Sequence, residues 1–336
     1  MSVQQEPIDL ASLRGSIAVV TGAGNNGIGW GICKHAAGEL GMHVVAIDLH
    51  ANLVESAARR LTEMYPDVTS IGIAADVTSP ESLAAASSAI LARFPGLRIG
   101  AVFANAGVIF HHTILKSTLE EWRQTLEVNV IGVVNTLQAF VPLLQAEQAD
   151  SILCTTASIG GLVRGDGGGA AYQASKHAVV ALTESLSFEL ARKSPQIRVH
   201  VLCPCIVQSA LGHTSQVNAS VLRGELDAAE VTGVEQGDNG LAMTTEAHAR
   251  QVFDQIAVGN FYMITDNVRP YVDHDFPFDG TAIVKERVDN LLRRRLDNAD
   301  AWLPGPNGPP SAILKGPLFR EIGRRRQLLR DESGSS

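Results

Sequence analysis

The 336-residue chain predicts a doubly wound α/β fold, a Rossmann-like parallel sheet covered by helices on both faces. Three observations predict it. Short Val/Ile/Ala-rich runs without polar alternation recur through roughly the first two hundred residues, as strands buried on both faces require. Longer amphipathic stretches separate them, so each connection is a helix and parallel pairing follows. The first apolar run also passes directly into the glycine-rich segment Thr21–Gly29, the place where such folds cradle phosphate.

In chain order, the expected strands are Ile17–Val20, Val44–Ile47, Ser70–Ala74, Gly100–Ala104, Ser151–Thr155 and Arg198–Leu202. Between them lie expected helices Gly31–Leu40, Leu53–Met64, Pro80–Arg93, Leu119–Gln145 and Tyr172–Arg192. Ser79-Pro80-Glu81 reads as a helix start, with serine at the cap and proline in the first turn. After Ser209 the texture changes. The mixed Gly, Ser, Asn and acidic stretch Ala210–Leu241 reads as a flap or short helices over a site. Order resumes with a helix Thr245–Val258 and a last strand Phe261–Thr265. Residues 14–268 thus read as one domain, with 210–241 as a flap over its site. Residues 269–336 form an extension with a helix Ala282–Leu296, a Pro/Gly loop Pro304–Pro310, a basic end Arg324–Arg326 and a disordered tail.

Composition narrows the function classes. At 45% hydrophobic and 18% charged residues, a sizeable core is available. The net charge of −8 provides no basic field for nucleic acid or an anionic membrane. No uninterrupted apolar run reaches the roughly 20 residues that a membrane span requires. The polar start, Met1 to Leu13, lacks the basic and apolar parts of a secretory signal, so the expected location is cytoplasmic. Cys33, Cys154, Cys203 and Cys205 show no zinc-site spacing and read as reduced thiols.

Glycines between a first strand and a first helix let the backbone approach a pyrophosphate, which the helix N-terminus then favours electrostatically. Gly22, Asn26, Gly27, Ile28 and Gly29 are the candidates for that contact. Asp48, at the end of the second strand, can accept from adenosine ribose hydroxyls and would repel a 2′-phosphate. No Arg or Lys lies in the glycine turn or directly after Asp48, which favours NAD(H) over NADP(H) as cofactor.

Tyr172 and Lys176 stand four apart at a helix start, and that spacing puts both on one face. A free phenol, with a pKa of about 10, is a poor base at neutral pH. A neighbouring ammonium would stabilise the phenolate. Ser158 follows the fifth strand, where its hydroxyl can reach a substrate oxygen.

With these residues the sequence resembles the short-chain dehydrogenase/reductase family over roughly residues 14–210. The glycine turn, Asp76-Val77, Asn105-Ala106-Gly107, Asn129, Ser158, Tyr172 and Lys176 all stand where the family's motifs do. The resemblance implies that Tyr172 is the general acid/base and that Ser158 orients the substrate oxygen. It further implies that Lys176 lowers the tyrosine pKa and binds the nicotinamide ribose, and that Asn129 holds a relay water. Asp76 and Val77 would contact adenine, and Pro204, Ile206 and Ser209 the carboxamide. A homodimer or homotetramer through the long helices is implied as well. Four departures stand out: a glycine turn one residue longer, a Ser158–Tyr172 loop one residue longer, Cys205 in place of Gly, and Ser209 in place of Thr.

Plainer roles stay open for some of these residues. Asn129 could bridge backbone segments, Ser158 could cap a strand end, and Asn105 could brace the sheet. The pair His111-His112 has no third ligand at fixed spacing and reads as rim or surface, so no metal is expected. Phe110, Leu162, Val163 and Leu211 would make an apolar pocket for a medium-sized hydrophobic alcohol or ketone. Two rival functions stay open: a dinucleotide-sensing module without turnover, and an isomerase or dehydratase that uses the cofactor transiently.

Overall fold

The computed structural model describes residues 5–24, 26–162, 169–222 and 242–265. Within them seven strands form one sheet: β1 (Ile17–Thr21), β2 (His43–Asp48), β3 (Ser70–Ala74), β4 (Ile99–Ala104), β5 (Ser151–Thr156), β6 (Ile197–Pro204) and β7 (Tyr262–Thr265). Their order is β3-β2-β1-β4-β5-β6-β7 and every adjacent pair is parallel. The chain steps outward from β1 to β3, then crosses back to β4 and proceeds the other way. That reversal opens a crevice at the carboxyl ends of β1 and β4, where this fold class binds its ligands. Adjacent residues such as Val19 and Val20, or Val102 and Phe103, are all buried, so both sheet faces are covered, as the unalternating apolar runs require.

The covering helices are α1 (Ile28–Gly38), α2 (Ala51–Met64), α3 (Pro80–Arg93), α4 (Leu119–Leu126), α5 (Gly132–Ala146), α6 (Ala170–Lys193), α7 (Leu211–Leu222) and α8 (Thr245–Ala257). Caps set several starts: the Ser79 hydroxyl accepts from Ser82 N–H, Thr244 from Ala247 N–H, and Thr118 forms a reciprocal capping box with Glu121.

Some details differ from expectation. α1 begins three residues before the expected Gly31, because Gly29 and Gly31 are packing positions rather than loop. A methyl on Gly31 would stand 2.5 Å from the Thr245 carbonyl oxygen on α8. The expected helix Leu119–Gln145 is interrupted by a π-turn, Glu127–Ile131, between α4 and α5, a break that often marks a functional site. The helical run Leu119–Ala146 is long and apolar enough to cross a membrane by length and composition, although charged and polar residues interrupt it, so no uninterrupted apolar run of the expected length occurs there. Here its apolar side is spent on protein, since α5 packs on β4 and β5 while the π-turn and α4 pack on α6. The start of the expected flap is helix α7, in keeping with the short helices expected there. The rest of the flap, with Val163 and the whole of the expected C-terminal extension, lies outside the described residues.

Candidate active site

Asn105 ties the crevice together. Its Nδ2 donates to the carbonyl oxygens of Thr21 and Gly22 at 3.0 and 3.3 Å. Its Oδ1 accepts from the Thr156 hydroxyl at 3.1 Å. Thr21 Oγ1 in turn accepts from the N–H groups of Asn105 and Ala106. The ends of β1, β4 and β5 are therefore locked in register around one side chain, the bracing role left open above. The glycine turn lies against this brace. Gly22 has φ +69°, and a methyl there would stand 2.7 Å from the Ala106 Cα, so conformation and space both demand glycine.

A cavity of about 620 Å³ follows the crevice, within the roughly 300–1,000 Å³ usual for small-molecule sites. Of the expected cofactor residues, Gly22, Gly27, Ile28, Asp48, Asp76 and Val77 line it. So do Asn105, Ala106, Gly107, Pro204 and Ser209, together with Ser158, Tyr172 and Lys176. Gly27 caps α1 without a side chain, leaving the helix N-terminus open to an anion. These features fit a dinucleotide.

Four expected residues do not line the cavity. Asn26 accepts from Arg60 Nη1 of α2 at 2.8 Å, and that guanidinium lies 4.1 Å over the Trp30 ring. Gly29 is buried in the first turn of α1, where a methyl would meet the Gly22 carbonyl oxygen at 2.5 Å. Ile206 is exposed, although its carbonyl accepts from Met243 N–H. Asn129 is fully buried in the π-turn. Its Oδ1 accepts from Val108 N–H at 2.8 Å, and its Nδ2 donates to the Val108 carbonyl at 3.0 Å and to Ser175 Oγ at 2.9 Å. Its side chain thus bridges the Val108 backbone and α6.

The expected catalytic residues converge on the cavity. Tyr172 and Lys176 occupy the first two turns of α6 and face the same cavity, with the Lys176 ammonium 5.5 Å from the Tyr172 ring centre. The Tyr172 and Ser158 side chains are hydrogen bonded, while Ser158 Oγ also accepts from Gly160 N–H at 3.1 Å. Lys176 is 3% exposed and donates to the Thr156 carbonyl at 2.7 Å. Burial pulls its pKa down to about 8. Burial pushes the Tyr172 phenol above its ordinary range, and the Ser158 hydrogen bond works against that. At the other end, burial raises the Asp48 carboxyl, opposed by hydrogen bonds from Gly24 and Leu49 N–H at 3.0 and 2.8 Å.

Sequence reading missed the cavity's α4 side. Glu120, Arg123, Gln124, Glu127 and Val128 all line it, at the i, i+3, i+4, i+7, i+8 spacing of one helix face. That spacing was the available signal. Of the expected apolar pocket, Leu211 lines the cavity, whereas Phe110 packs into a small cluster with Val108 and Val128. His112 pairs with Glu121 at 3.0 Å, and no metal-ligand cluster occurs among the described residues.

The sequence profile of the short chain dehydrogenase family matches residues 16–219. This chain belongs to the short-chain dehydrogenase/reductase family. Among curated relatives, it is 30% identical over 256 residues to a 1-deoxy-11-beta-hydroxypentalenate dehydrogenase of Streptomyces avermitilis, covering 76% of this chain and 86% of that one. It is 32% identical over 233 residues to a (-)-trans-carveol dehydrogenase of Rhodococcus erythropolis, covering 64% and 76%. Among solved structures, a short-chain dehydrogenase/reductase from Burkholderia phymatum in complex with NAD superposes with a TM-score of 0.66 at 26% identity, covering 84% of this chain and 96% of that one. The short-chain dehydrogenase/reductase fold and its nicotinamide-linked oxidoreductase class thus extend to this chain.

Proposed function

We propose that this short-chain dehydrogenase/reductase interconverts a secondary alcohol and a ketone on a medium-sized hydrophobic substrate, with NAD(H) as preferred cofactor. The observation that carries it is the convergence of Ser158, Tyr172 and Lys176 on the cavity that the glycine turn also lines. A bound nicotinamide would supply or accept the hydride at the substrate carbon. Tyr172 would give the matching proton to the carbonyl oxygen, or take it from the alcohol. Ser158, bonded to Tyr172, would share that oxygen, and Lys176 would hold the nicotinamide ribose and bias the phenol. Gly22, Gly27 and Ile28 would cradle the pyrophosphate, Asp76 and Val77 the adenine, and Asp48 the ribose hydroxyls. Val207, Ala210 and Leu211 contribute apolar cavity wall, and the names of the pentalenate and carveol relatives are consistent with alicyclic substrates.

The test is fluorescence titration with NADH and NADPH, followed by turnover of cyclohexanone, carveol and other alicyclic alcohols and ketones. The wild type should bind NADH more tightly and turn over with it. Tyr172→Phe should keep NADH binding while turnover falls by about 10³-fold. Binding without turnover by the wild type would instead assign a dinucleotide-sensing module. Product formation without net change in NADH would assign an isomerase or dehydratase.

A further inference from the structure

We propose that Ser215 is a positioning residue that fixes α7, and with it the Ala210–Leu211 wall of the cavity, against the segment following β4. The inference rests on the function proposed above and concerns the substrate end of the same site.

Ser215 is 0% exposed. Its hydroxyl donates to the Leu211 carbonyl at 2.6 Å, an ordinary i−4 bond for a helical serine. The same oxygen also accepts from Ile109 N–H at 2.8 Å, across 106 residues of sequence. That second bond joins two elements which neither sequence adjacency nor the sheet brings together. Ile109 follows Val108, whose N–H and carbonyl are both held by Asn129. Asn129 donates to Ser175 Oγ, and Ser175 donates to the Tyr172 carbonyl at 2.6 Å. A line of hydrogen bonds and one peptide link therefore runs from the first turn of α7 to the first turn of α6, where Tyr172 sits.

The wall just before α7 is held independently. Val207 bridges Met243, with Gln208 N–H donating to the Met243 carbonyl at 2.8 Å and Met243 N–H to the Ile206 carbonyl at 2.9 Å. Removing the Ser215 hydroxyl therefore leaves residues 206–208 anchored, and changes how α7 and Leu211 sit over the cavity relative to Tyr172. The adenosine end, built on Asp48 and Asp76, has no part in this tie. Its effect should accordingly fall on the carbonyl substrate and spare the cofactor.

Ser215→Ala, Ser215→Thr, Leu211→Ala and the Ser215/Leu211 double alanine variant would be compared with wild type, using cyclohexanone as probe. Ser215→Ala should raise the KM for cyclohexanone about fivefold or more, with kcat and NADH affinity within about twofold. Ser215→Thr, which keeps the oxygen, should restore KM. The Ser215 and Leu211 effects should be non-additive, because both act through one wall. Amide exchange over residues 105–112 should quicken by about tenfold in Ser215→Ala. Unchanged KM, or equal losses in kcat, KM and cofactor affinity, overturns the inference. Should the wild type turn over no ketone or alcohol, the proposed function fails and exchange alone decides the tie. Faster exchange then supports it and unchanged exchange overturns it.

Discussion

The buried ammonium of Lys176 lies 5.5 Å from the centre of the Tyr172 ring, anchored by the Thr156 carbonyl. Thr156 also donates to Asn105, which holds the glycine turn. One hydrogen-bonded line therefore joins the Tyr172 end of the cavity to its glycine-turn end.

Lys176→Met should lower turnover by about 100-fold or more. It should not lower stability at neutral pH. Burial brings the lysine pKa from 10.5 to about 8, so the folded state carries a penalty of roughly 3 kcal/mol while the amine is charged. The penalty is fully present below about pH 8 and vanishes as pH rises towards 10.5. Thermal melts of both proteins at pH 7 and pH 10 check this. The variant should match or exceed wild type at pH 7 and lose ground at pH 10.

Asp48 sets the second prediction. Its carboxylate is fixed by the Gly24 and Leu49 N–H groups at the cavity wall, where a 2′-phosphate would meet a like charge. Asp48→Ser keeps an acceptor for Gly24 and removes the charge. The ratio of kcat/KM for NADPH over NADH should rise by about tenfold or more. An unchanged ratio would mean that Asp48 does not face the adenosine ribose.

How far the sequence could be read depended on whether a residue's meaning was local. Every strand and nearly every helix was legible, because burial on both sheet faces and cap chemistry leave marks within a few residues. Ser70–Ala74 and Pro80–Arg93 matched to the residue. The glycine turn and the Tyr172/Lys176 pair were legible for the same reason. What sequence could not show was long-range. The π-turn at Glu127–Ile131 is written in an apolar run like any helix interior. Arg60 reaching back to Asn26, and Ser215 reaching Ile109, depend on elements meeting only after folding.

Asn129 illustrates that long-range kind and yields a third prediction. Both ends of its amide are used inside the protein, donating to Val108 and Ser175 and accepting from Val108. Asn129→Asp preserves shape but cannot donate from its ionised form, leaving a buried charge beside a carbonyl oxygen. The expected cost is about 2–4 kcal/mol of stability, with Asn129→Ala at the lower end. Denaturant unfolding measures it, and a loss confined to activity would instead assign Asn129 a part in the reaction itself.

Acid stability gives the last prediction. His248, on α8, is 0% exposed, and neither ring nitrogen has a hydrogen-bond partner among the described residues. Burial lowers its pKa from 6.5 to about 4. His200 is lowered similarly, although its Nδ1 bonds the Asn260 carbonyl. A histidine buried neutral gains its proton on unfolding, so the unfolded chain binds more protons between these values. The stability it permits is present above pH 6.5 and is lost as pH falls towards 4. For His248 alone, the loss from pH 7.5 to pH 5 should be about 2 kcal/mol. His248→Leu fills the site without a titrating group. It should therefore gain about 2 kcal/mol on wild type over that interval, whatever its stability at pH 7.5. Denaturant melts of both proteins at the two pH values isolate the effect, because the carboxylates common to both cancel in the difference. A gap that stays constant between them would show that His248 does not stay neutral inside the fold.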